Sequence, residues 1–414
     1  MSGDDRRSKL GTVCIVSPGN LASNPRVLKE ADALHEAGYA VTAVACDYTA
    51  ALRPFDDAIA ASVPWQVVRV APGRGERPIG LVAGAVARLA GGRVPVTLAA
   101  RAYGGPVGAL EAAGRLAADL YIGHYIAGLA VAARAARRHG AMLGYDAEDL
   151  HTGEGGPLQM SLARIIEGRF LPSCRHITAS APLIAAALRD DYGVIATTVL
   201  NVFPLAMAPA APVAASGAGA LKAYWFSQTI GLDRGLQPFI QAMARTRARV
   251  TLDVRGSNRW GHGKDLVEFA GTLGIADRIN ILPTAPPQEM VTLAAHYDIG
   301  LSLETDVSVS RSFCLTNKIF TYLLAGVPVL LSDTPAQRAL AMELGGAARV
   351  VALADPDGMA ATLDRLADSS HEKAQASTEA WRLGRERYNW DFEKSALLKS
   401  VARAFESGRG AGCP

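Results

Sequence analysis

Two cations in the C-terminal half of the sequence stand where strand-like runs give way to helical patterns. Arg234 follows the strand-like run Ala223–Phe226, and Lys318 opens the helical pattern Lys318–Ala325. An arginine fork and the free N–H groups of a helix N-terminus both bind phosphate oxygens. Because both loops follow strands of one predicted parallel sheet, they fall on the same edge of it. The pattern predicts an anion site, although solvated cations beside ordinary strand–helix units fit it too.

A histidine and several acids stand at the equivalent places in the N-terminal half. His124 ends the run DLYIGH, and the next strand-like run leads into YDAEDLH, with Asp146, Glu148, Asp149 and His151. Such side chains suit the binding of sugar hydroxyls or the transfer of protons. Each alone also fits a helix cap or a solvated loop. No His-x-x-x-His or clustered acid spacing occurs, so we predict no metal site.

Two further loops offer backbone groups to a ligand. Pro18-Gly19-Asn20 ends the first strand-like run, where ligands approach open parallel sheets. The loop does not spell G-x-G-x-x-G, so a dinucleotide is not predicted and we expect no cofactor. Pro283-Thr284-Ala285 follows another strand and offers donors and acceptors to a flat base, but it also fits a plain turn.

The elements that position these residues alternate along the whole chain between β-rich runs and helical patterns, which predicts parallel sheets with crossover helices. The predicted strands of the first half are Val13–Ser17, Ala40–Cys46, Gln66–Val70, Leu120–Gly123, Leu143–Asp146, His176–Ala179 and Thr197–Leu200. Those of the second half are Ala223–Phe226, Thr251–Arg255, Ile279–Leu282, Ile299–Leu303, Val329–Leu331 and Arg349–Val351. Each set suits one doubly wound, Rossmann-like domain, so the predicted fold class is α/β with two such domains.

The segment 203–220 is rich in Pro, Ala, Gly and Ser and has no periodic apolar face, so it is predicted to be a linker. In the C-terminal pattern 389–405, Asn389 suits a helix cap, and a stripe from Leu397 to Phe405 must pack on the protein. The predicted domains are residues 1–202 and 222–385, joined by a linker at 203–221 and followed by a C-terminal helix and tail at 386–414.

Composition narrows the class of protein. The net charge is +3 over 414 residues without a basic block, which argues against nucleic acid as a partner. Five scattered cysteines suit a reduced, cytosolic protein, and no apolar run reaches the roughly 18 residues of a spanning helix. The broken apolar run Ile79–Arg101 fits either a helical pair on the protein or a segment lying on a membrane surface. We predict a cytoplasmic protein and leave open a peripheral contact with the inner face of the membrane.

Taken together, these stretches resemble the two-domain glycosyltransferases of the GT-B fold, and within them the GT4-like (group 1) retaining enzymes. The matching pieces are NPRVLKEADALHEAGY, DLYIGHYIAGLAVAARAARRHG, VLNVFP, the Arg234-Gly235-Leu236 turn, RINILPTAPPQEMVTLAAHYDIGLSLE and NKIFTYLLAGVPVLLSD. The resemblance implies a nucleotide-sugar donor held mainly by the second domain and an acceptor held mainly by the first, with catalysis in the cleft between them. The acceptor, whether glycan, lipid-linked sugar or small molecule, is not identified.

The resemblance also assigns roles to individual residues. It implies that His124 is an active-centre histidine, and we take Glu304, which follows the strand Ile299–Leu303, as a second catalytic candidate. The diphosphate contacts are predicted to be Arg234, Lys318, Asn317 and Gln228; the nucleoside contacts Thr284, Ala285 and Thr321; and the acceptor or phosphate loop Gly19 and Asn20.

The sequence departs from the commonest pattern of this family at two glutamates. Counted back from Gly326, their positions are taken by Phe313 and Thr321, and the usual Gly-Arg after the domain-opening strand is replaced by Ser227-Gln228-Thr229. The usual carboxylate for the ribose is therefore missing. Two alternatives stay open: a sugar-nucleotide epimerase of similar fold, and a degenerate GT-B domain that binds a partner without catalysis.

Overall fold

The chain folds into two α/β units, each built on a parallel sheet. The computed structural model describes residues 10–71, 76–104, 112–212 and 219–409. Unit 1 comprises the chain up to Val199 together with the chain from Lys394 onward, and unit 2 comprises Leu200–Glu393. The predicted linker falls partly on residues 213–218, which lie outside the described residues. No helix in the described ranges has the length and apolarity needed to cross a bilayer.

Unit 1 contains a seven-stranded sheet whose strand order is β3-β2-β1-β4-β5-β6-β7. The strands are β1 Thr12–Ser17, β2 Ala40–Cys46, β3 Gln66–Val70, β4 Leu120–His124, β5 Met142–Ala147, β6 Cys174–Ala179 and β7 Thr197–Thr198. Strand β7 is shorter than predicted because the chain after it bonds elsewhere: the Val199 carbonyl accepts from Arg26, and Leu200 N–H donates to Glu393.

The helices of unit 1 are α1 Pro25–Glu36, α2 Arg53–Ser62, α3 Glu76–Leu89, α4 Val96–Tyr103, α5 Tyr125–His139, α6 Pro157–Phe170 and α7 Pro182–Tyr192. The start of α1 is as predicted: the Asn24 side chain accepts from the N–H groups of Arg26 and Val27, and Pro25 holds the first position. Helix α5 lies very close to the sheet, since a Cβ on Gly128 would be 2.7 Å from the Val16 carbonyl oxygen.

Unit 2 contains a six-stranded sheet in the order β10-β9-β8-β11-β12-β13. Its strands are β8 Ala220–Thr229, β9 Arg249–Ser257, β10 Ile279–Leu282, β11 Ile299–Ser302, β12 Val329–Ser332 and β13 Ala348–Val351. The predicted α/β class with two doubly wound sheets is confirmed. In each sheet the second and third strands are added on one side of the first strand and the later strands on its other side. The strand order therefore reverses between β1 and β4 in unit 1 and between β8 and β11 in unit 2. Ligands of such sheets bind at the carboxyl ends of strands near this reversal.

The helices of unit 2 are α8 Leu236–Arg245, α9 His262–Thr272, α10 Met290–Ala294, α11 Val309–Phe313, α12 Asn317–Ala325, α13 Pro335–Leu344, α14 Pro356–Asp368 and α15 Ser370–Glu386. Helix α12 is buried from Lys318 to Ala325. It ends at Gly326, whose φ of 75° is the left-handed conformation that the sequence predicted.

The last helix, α16 Trp390–Arg409, begins in unit 2 and continues in unit 1. Asn389 caps it by accepting from Phe392 N–H. The predicted apolar stripe packs into the core of unit 1, where Val401 is fully buried and the ring of Phe405 lies 5.2 Å from that of Tyr39. The core of unit 1 is therefore built from both ends of the chain.

Candidate functional site

The loop after β8 is held against the end of β11 by Gly235. Its φ is 69°, and a Cβ at this position would lie 2.5 Å from the carbonyl oxygen of Leu303. Only glycine satisfies both the left-handed backbone and this close approach. The contact brings Arg234 beside the residues that follow β11, as the shared sheet edge predicted.

Glu304, the second residue after β11, is buried and receives two cations. Its Oε1 accepts from Lys318 Nζ at 3.0 Å, and its Oε2 accepts from Arg311 at 2.9 Å. Burial acts to raise the pKa of Glu304, but Lys318 and Arg311 outweigh it and lower the pKa to about 2. Glu304 is therefore a carboxylate at neutral pH, and it positions both cations.

Arg234 and Arg311 meet at a shared carboxylate. Asp233 lies 3.5 Å from Arg234 Nε and 3.9 Å from Arg311. The side chains of Arg234 and Arg311 are 28% and 21% exposed, so a ligand reaches both, whereas that of Lys318 is only 8% exposed. Buried Arg234 Nε makes no hydrogen bond within the described residues. We call Asp233, Arg234, Glu304, Arg311 and Lys318 the cation cluster.

The cation cluster carries three positive and two negative side chains, an excess of one positive charge. The N-terminus of α12 adds to it, because the Thr316 side chain makes no capping hydrogen bond and instead bonds Ser302 at 3.2 Å. Ile319 N–H donates to the Thr316 carbonyl at 3.2 Å. The N–H groups that the start of α12 offers to an anion are therefore those of Asn317 and Lys318. The arrangement suits an anion with two charged groups.

Three other predicted contacts of unit 2, Gln228, Thr284 and Ala285, lie in two places. Gln228 is exposed within β8, and Thr284 is exposed in the turn after β10 with Ala285 partly buried beside it. That turn is fixed by Arg255, which donates to the Pro283 carbonyl at 2.8 Å. These positions are open to a ligand.

Thr321 is placed differently from the prediction. Its side chain is fully buried in α12, and the hydroxyl donates to the Asn317 carbonyl at 2.9 Å. A nucleoside would reach it only after a rearrangement of the helix. At the position of the missing family carboxylate, this chain therefore has the hydroxyl of Thr321, which hydrogen-bonds the backbone of its own helix.

In unit 1, His124 is the centre of a buried ionic network. Its Nε2 lies 2.6 Å from Glu30 Oε2, and its Nδ1 lies 3.0 Å from Glu148 Oε1 and 3.3 Å from Asp146 Oδ2. Arg26 binds both oxygens of Asp146. Burial acts to lower the pKa of His124, but Asp146, Glu148 and Glu30 outweigh it and raise the pKa to about 10.

The backbone next to His124 is unusual. Tyr125, the first residue of α5, has a φ of 55°, which is the left-handed conformation. Among the described residues other than glycine, only Tyr125 has a positive φ. Its hydroxyl donates to Glu148 at 2.9 Å. Local strain of this kind clusters at functional sites and directs attention to this end of β4.

Arg26 and Glu30 are site residues that the sequence interpretation missed. They stand four positions apart on the same face of α1 as Val27, Ala31 and Leu34, and all five are buried. Charged residues within an apolar stripe are rarely buried unless paired, so this spacing was a usable signal. Arg311 was missed as well, but a lone arginine in a polar loop gives no such signal.

In the first loop, Asn20 is buried and Gly19 is partly buried. The Asn20 side chain is buried, donates to Asp56 at 2.7 Å and accepts from Thr49 N–H at 2.9 Å. These bonds hold the loop together, and the direct contact of Asn20 with a ligand stays a prediction. Gly19 is only partly buried, and a Cβ there would meet Ser23 Oγ at 3.9 Å, so the backbone of Gly19 stays open to a ligand.

Among the described residues, His124, Asp146 and Glu148 offer atoms close enough to share a metal ion, within 4.8 Å of one another. The set fits a cation poorly. The guanidinium of Arg26 already neutralises Asp146, and the imidazole bonds carboxylates through both nitrogens. An ion would have to displace these partners.

Comparison with known families identifies both halves of the chain. A family described as a glycosyl transferase 4-like domain matches residues 22–205, and one described as glycosyl transferase-like matches residues 234–395. No curated protein matches the sequence. The resemblance that the motifs predicted is confirmed.

Solved structures share the fold over nearly the whole chain. HepE of Anabaena, in complex with UDP-glucose, is 16% identical, with 95% of this chain and 99% of that chain covered and a TM-score of 0.65. The sucrose-phosphate synthase of Thermosynechococcus elongatus is 11% identical, with 96% and 99% covered and a TM-score of 0.70. A putative UDP-N-acetylglucosamine 2-epimerase of Listeria monocytogenes is 12% identical, with 96% and 97% covered and a TM-score of 0.55. At these identities the similarity concerns the fold alone.

Proposed function

This chain belongs to the glycosyltransferases, because a glycosyl transferase 4-like domain matches residues 22–205 and a glycosyl transferase-like domain matches residues 234–395; we propose that it moves a sugar from a nucleotide-diphosphate-sugar donor to an acceptor hydroxyl. We further propose retention at the anomeric carbon, as in the enzymes that its motifs resemble.

The observation that carries the donor proposal is the cation cluster of unit 2. Arg234 has a buried Nε without a hydrogen-bond partner among the described residues, and Arg311 lies beside the same carboxylate. A diphosphate would supply the missing acceptors and balance the excess positive charge. As the glycosidic bond breaks, negative charge grows on the leaving diphosphate, so fixed cations there stabilise the transition state.

The cation cluster also refines the predicted pair of diphosphate contacts, Arg234 and Lys318, which we call the diphosphate clamp. Arg234 and Lys318 were expected to act together, but Lys318 is largely buried on Glu304. We propose that Arg234 and Arg311 contact the diphosphate directly and that Lys318 and the first turn of α12 act from behind them. His124 and Glu304 remain our catalytic candidates, and Gly19, Gln228, Asn317, Thr284 and Ala285 our further binding candidates.

Ligand titration of single variants tests the clamp. Charge-assisted hydrogen bonds contribute about 1.5–3 kcal/mol, so Arg234→Ala and Arg311→Ala should each weaken nucleoside diphosphate binding about tenfold to a hundredfold. Binding of the nucleoside alone should stay nearly unchanged. Lys318→Ala should also weaken diphosphate binding, and the double variants should be non-additive because the side chains share one ligand group.

Arg245→Ala is the matched control, since Arg245 is a half-exposed arginine of the same unit that pairs with Asp357 at 2.9 Å. It should leave both affinities unchanged. Equal losses for nucleoside and nucleoside diphosphate, or no loss in the Arg234 and Arg311 variants, would remove the clamp from the mechanism.

The epimerase alternative is supported by one observation at the level of the fold, the similarity to the putative 2-epimerase. Incubation with a panel of nucleotide-sugars, with and without acceptors, separates the candidates. A transferase releases nucleoside diphosphate only as the sugar is transferred to an acceptor or water. An epimerase forms a new sugar isomer without an acceptor, and a binding domain changes no substrate.

A further inference from the structure

Helix α3 of unit 1 presents a large apolar face to solvent. Leu81 is 75% exposed, Val82 64% and Leu89 90%, and Ile79 and Val86 are also exposed. Isolated exposed apolar residues are ordinary, but five on one helix are not. The helix does have a packed side as well, because Ala83 and Ala87 are buried.

The two sides of α3 are clearly separated. At 100° per residue, Ala83 and Ala87 point one way, and the exposed side chains from Ile79 to Leu89 fill about half of the helix circumference on the other. The helix packs on α4, which in turn packs on α6. The sequence allowed either a helical pair on the protein or a segment lying on a membrane surface. The helical pair forms, but the described residues do not cover the apolar face of α3.

Between Glu76, which opens α3, and Glu111, the chain carries charge of one sign. Residues 78–110 contain three arginines and no aspartate or glutamate. Those arginines, Arg88, Arg93 and Arg101, are all exposed, and Arg88 borders the apolar face on α3 itself. An apolar face whose described charged neighbours are these arginines is complementary to a surface that is apolar inside and anionic outside.

We propose that α3 docks unit 1 on the surface of an anionic lipid bilayer, with the side chains of Leu81, Val82 and Leu89 inserted between headgroups. A second copy of the chain fits less well, because a symmetric contact would bring the exposed arginines of both faces together. Bilayer binding does not require the donor site, so this proposal and the proposed sugar transfer fail independently.

Vesicle flotation of the full chain tests the proposal. The protein should float with vesicles of phosphatidylcholine mixed with phosphatidylglycerol, bind phosphatidylcholine alone more weakly, and be released from the mixed vesicles by salt. The double variant Leu81→Asp/Leu89→Asp should lose about tenfold or more of its affinity for the mixed vesicles. Arg88→Ala and Arg93→Ala should each lose up to about fivefold.

Ile195→Asp is the matched control, because Ile195 is 88% exposed in the same unit but lies outside this face. It should bind vesicles as the unchanged protein does. All variants alter exposed positions, so nucleoside diphosphate binding and thermal unfolding should be preserved and show that they fold. Full vesicle binding by the Leu81/Leu89 double variant, or equal binding to neutral and anionic vesicles, would overturn the proposal. So would a dimer that the double variant converts to a monomer while the unchanged protein ignores vesicles.

Discussion

At the scale of single residues, the pKa of His124 has a consequence for stability. Three carboxylates overcome its burial and raise the pKa from 6.5 to about 10. A pKa that is higher in the folded state stabilises the fold fully below the unfolded value, and this stabilisation is lost as pH rises through the folded value. We therefore expect unit 1 to lose stability between about 6.5 and about 10.

Calorimetric scans across this pH range check the prediction. The thermal midpoint of unit 1 should fall with rising pH in the unchanged protein and fall less in His124→Gln, which cannot carry the charge. A parallel decline in both proteins would mean that other groups cause it. Because the imidazole stays protonated at neutral pH, His124 is suited to donate a hydrogen bond rather than to accept a proton there.

Glu304 makes a second prediction at this scale. Glu304→Gln keeps the shape of the side chain but leaves buried Lys318 without its counter-ion, and breaking a buried pair costs about 3–5 kcal/mol. We expect unit 2 to be destabilised by about that amount in urea. A bound nucleoside diphosphate would restore negative charge nearby, so it should raise the thermal midpoint of the variant more than that of the unchanged protein.

The control is Glu289→Gln, since Glu289 is exposed in the same unit. It should change neither stability nor the response to ligand. If Glu304→Gln unfolds like the unchanged protein, the carboxylate does not hold the cation cluster together, and its assignment as the organiser of Arg311 and Lys318 is wrong.

At the scale of elements, two helices begin with a left-handed glycine in different surroundings. Gly235 before α8 has φ 69° and a Cβ would clash with Leu303, whereas Gly261 before α9 has φ 80° and nothing within 4 Å of a Cβ. Both Gly→Ala changes incur the backbone cost, about 1–3 kcal/mol. Gly235→Ala should add a steric displacement that also moves Arg234.

We therefore expect Gly235→Ala to destabilise unit 2 more than Gly261→Ala and to weaken nucleoside diphosphate binding, while Gly261→Ala leaves that affinity unchanged. Urea unfolding and ligand titration of both variants give the two measurements. Equal effects of the two changes on stability and on affinity would show that the contact with Leu303 does not position the loop.

At the scale of the whole molecule, unit 1 depends on the far end of the chain. The ring of Phe405 packs on Tyr39 and on Gly11, where a Cβ would come within 2.5 Å of it. Removing a buried phenylalanine ring costs about 3–5 kcal/mol. Phe405→Ala should therefore destabilise unit 1 by about that amount although it lies near the C-terminus.

Calorimetry, with the two units followed as separate transitions where they resolve, measures the loss. Phe392→Ala in the same helix is the control, because that ring is 45% exposed; its change should be within about 1 kcal/mol. A normal transition for Phe405→Ala would mean that the C-terminal helix only covers the first unit and does not complete its core.

The sequence by itself determined the elements and their order. All thirteen predicted strands occur, and both sheets are parallel as the alternation predicted. The Asn24-Pro25 helix start and the Gly326 stop were also predicted correctly. These features depend on neighbours within a few positions, so the local pattern of residues contains the information. The shared sheet edge of Arg234 and Lys318 followed from the topology that the alternation implies.

Only the tertiary structure decided which charges pair. Arg26 meets Asp146 from 120 positions away and Glu30 meets His124 from 94, and no local pattern encodes contacts at such separations. The burial of Asn20 and Thr321 could not be predicted either. The sequence does not distinguish a polar side chain that hydrogen-bonds its own loop or helix from one that faces a ligand. Side-chain partners depend on where separate strands end in space, and that position is set by the packing of the whole sheet.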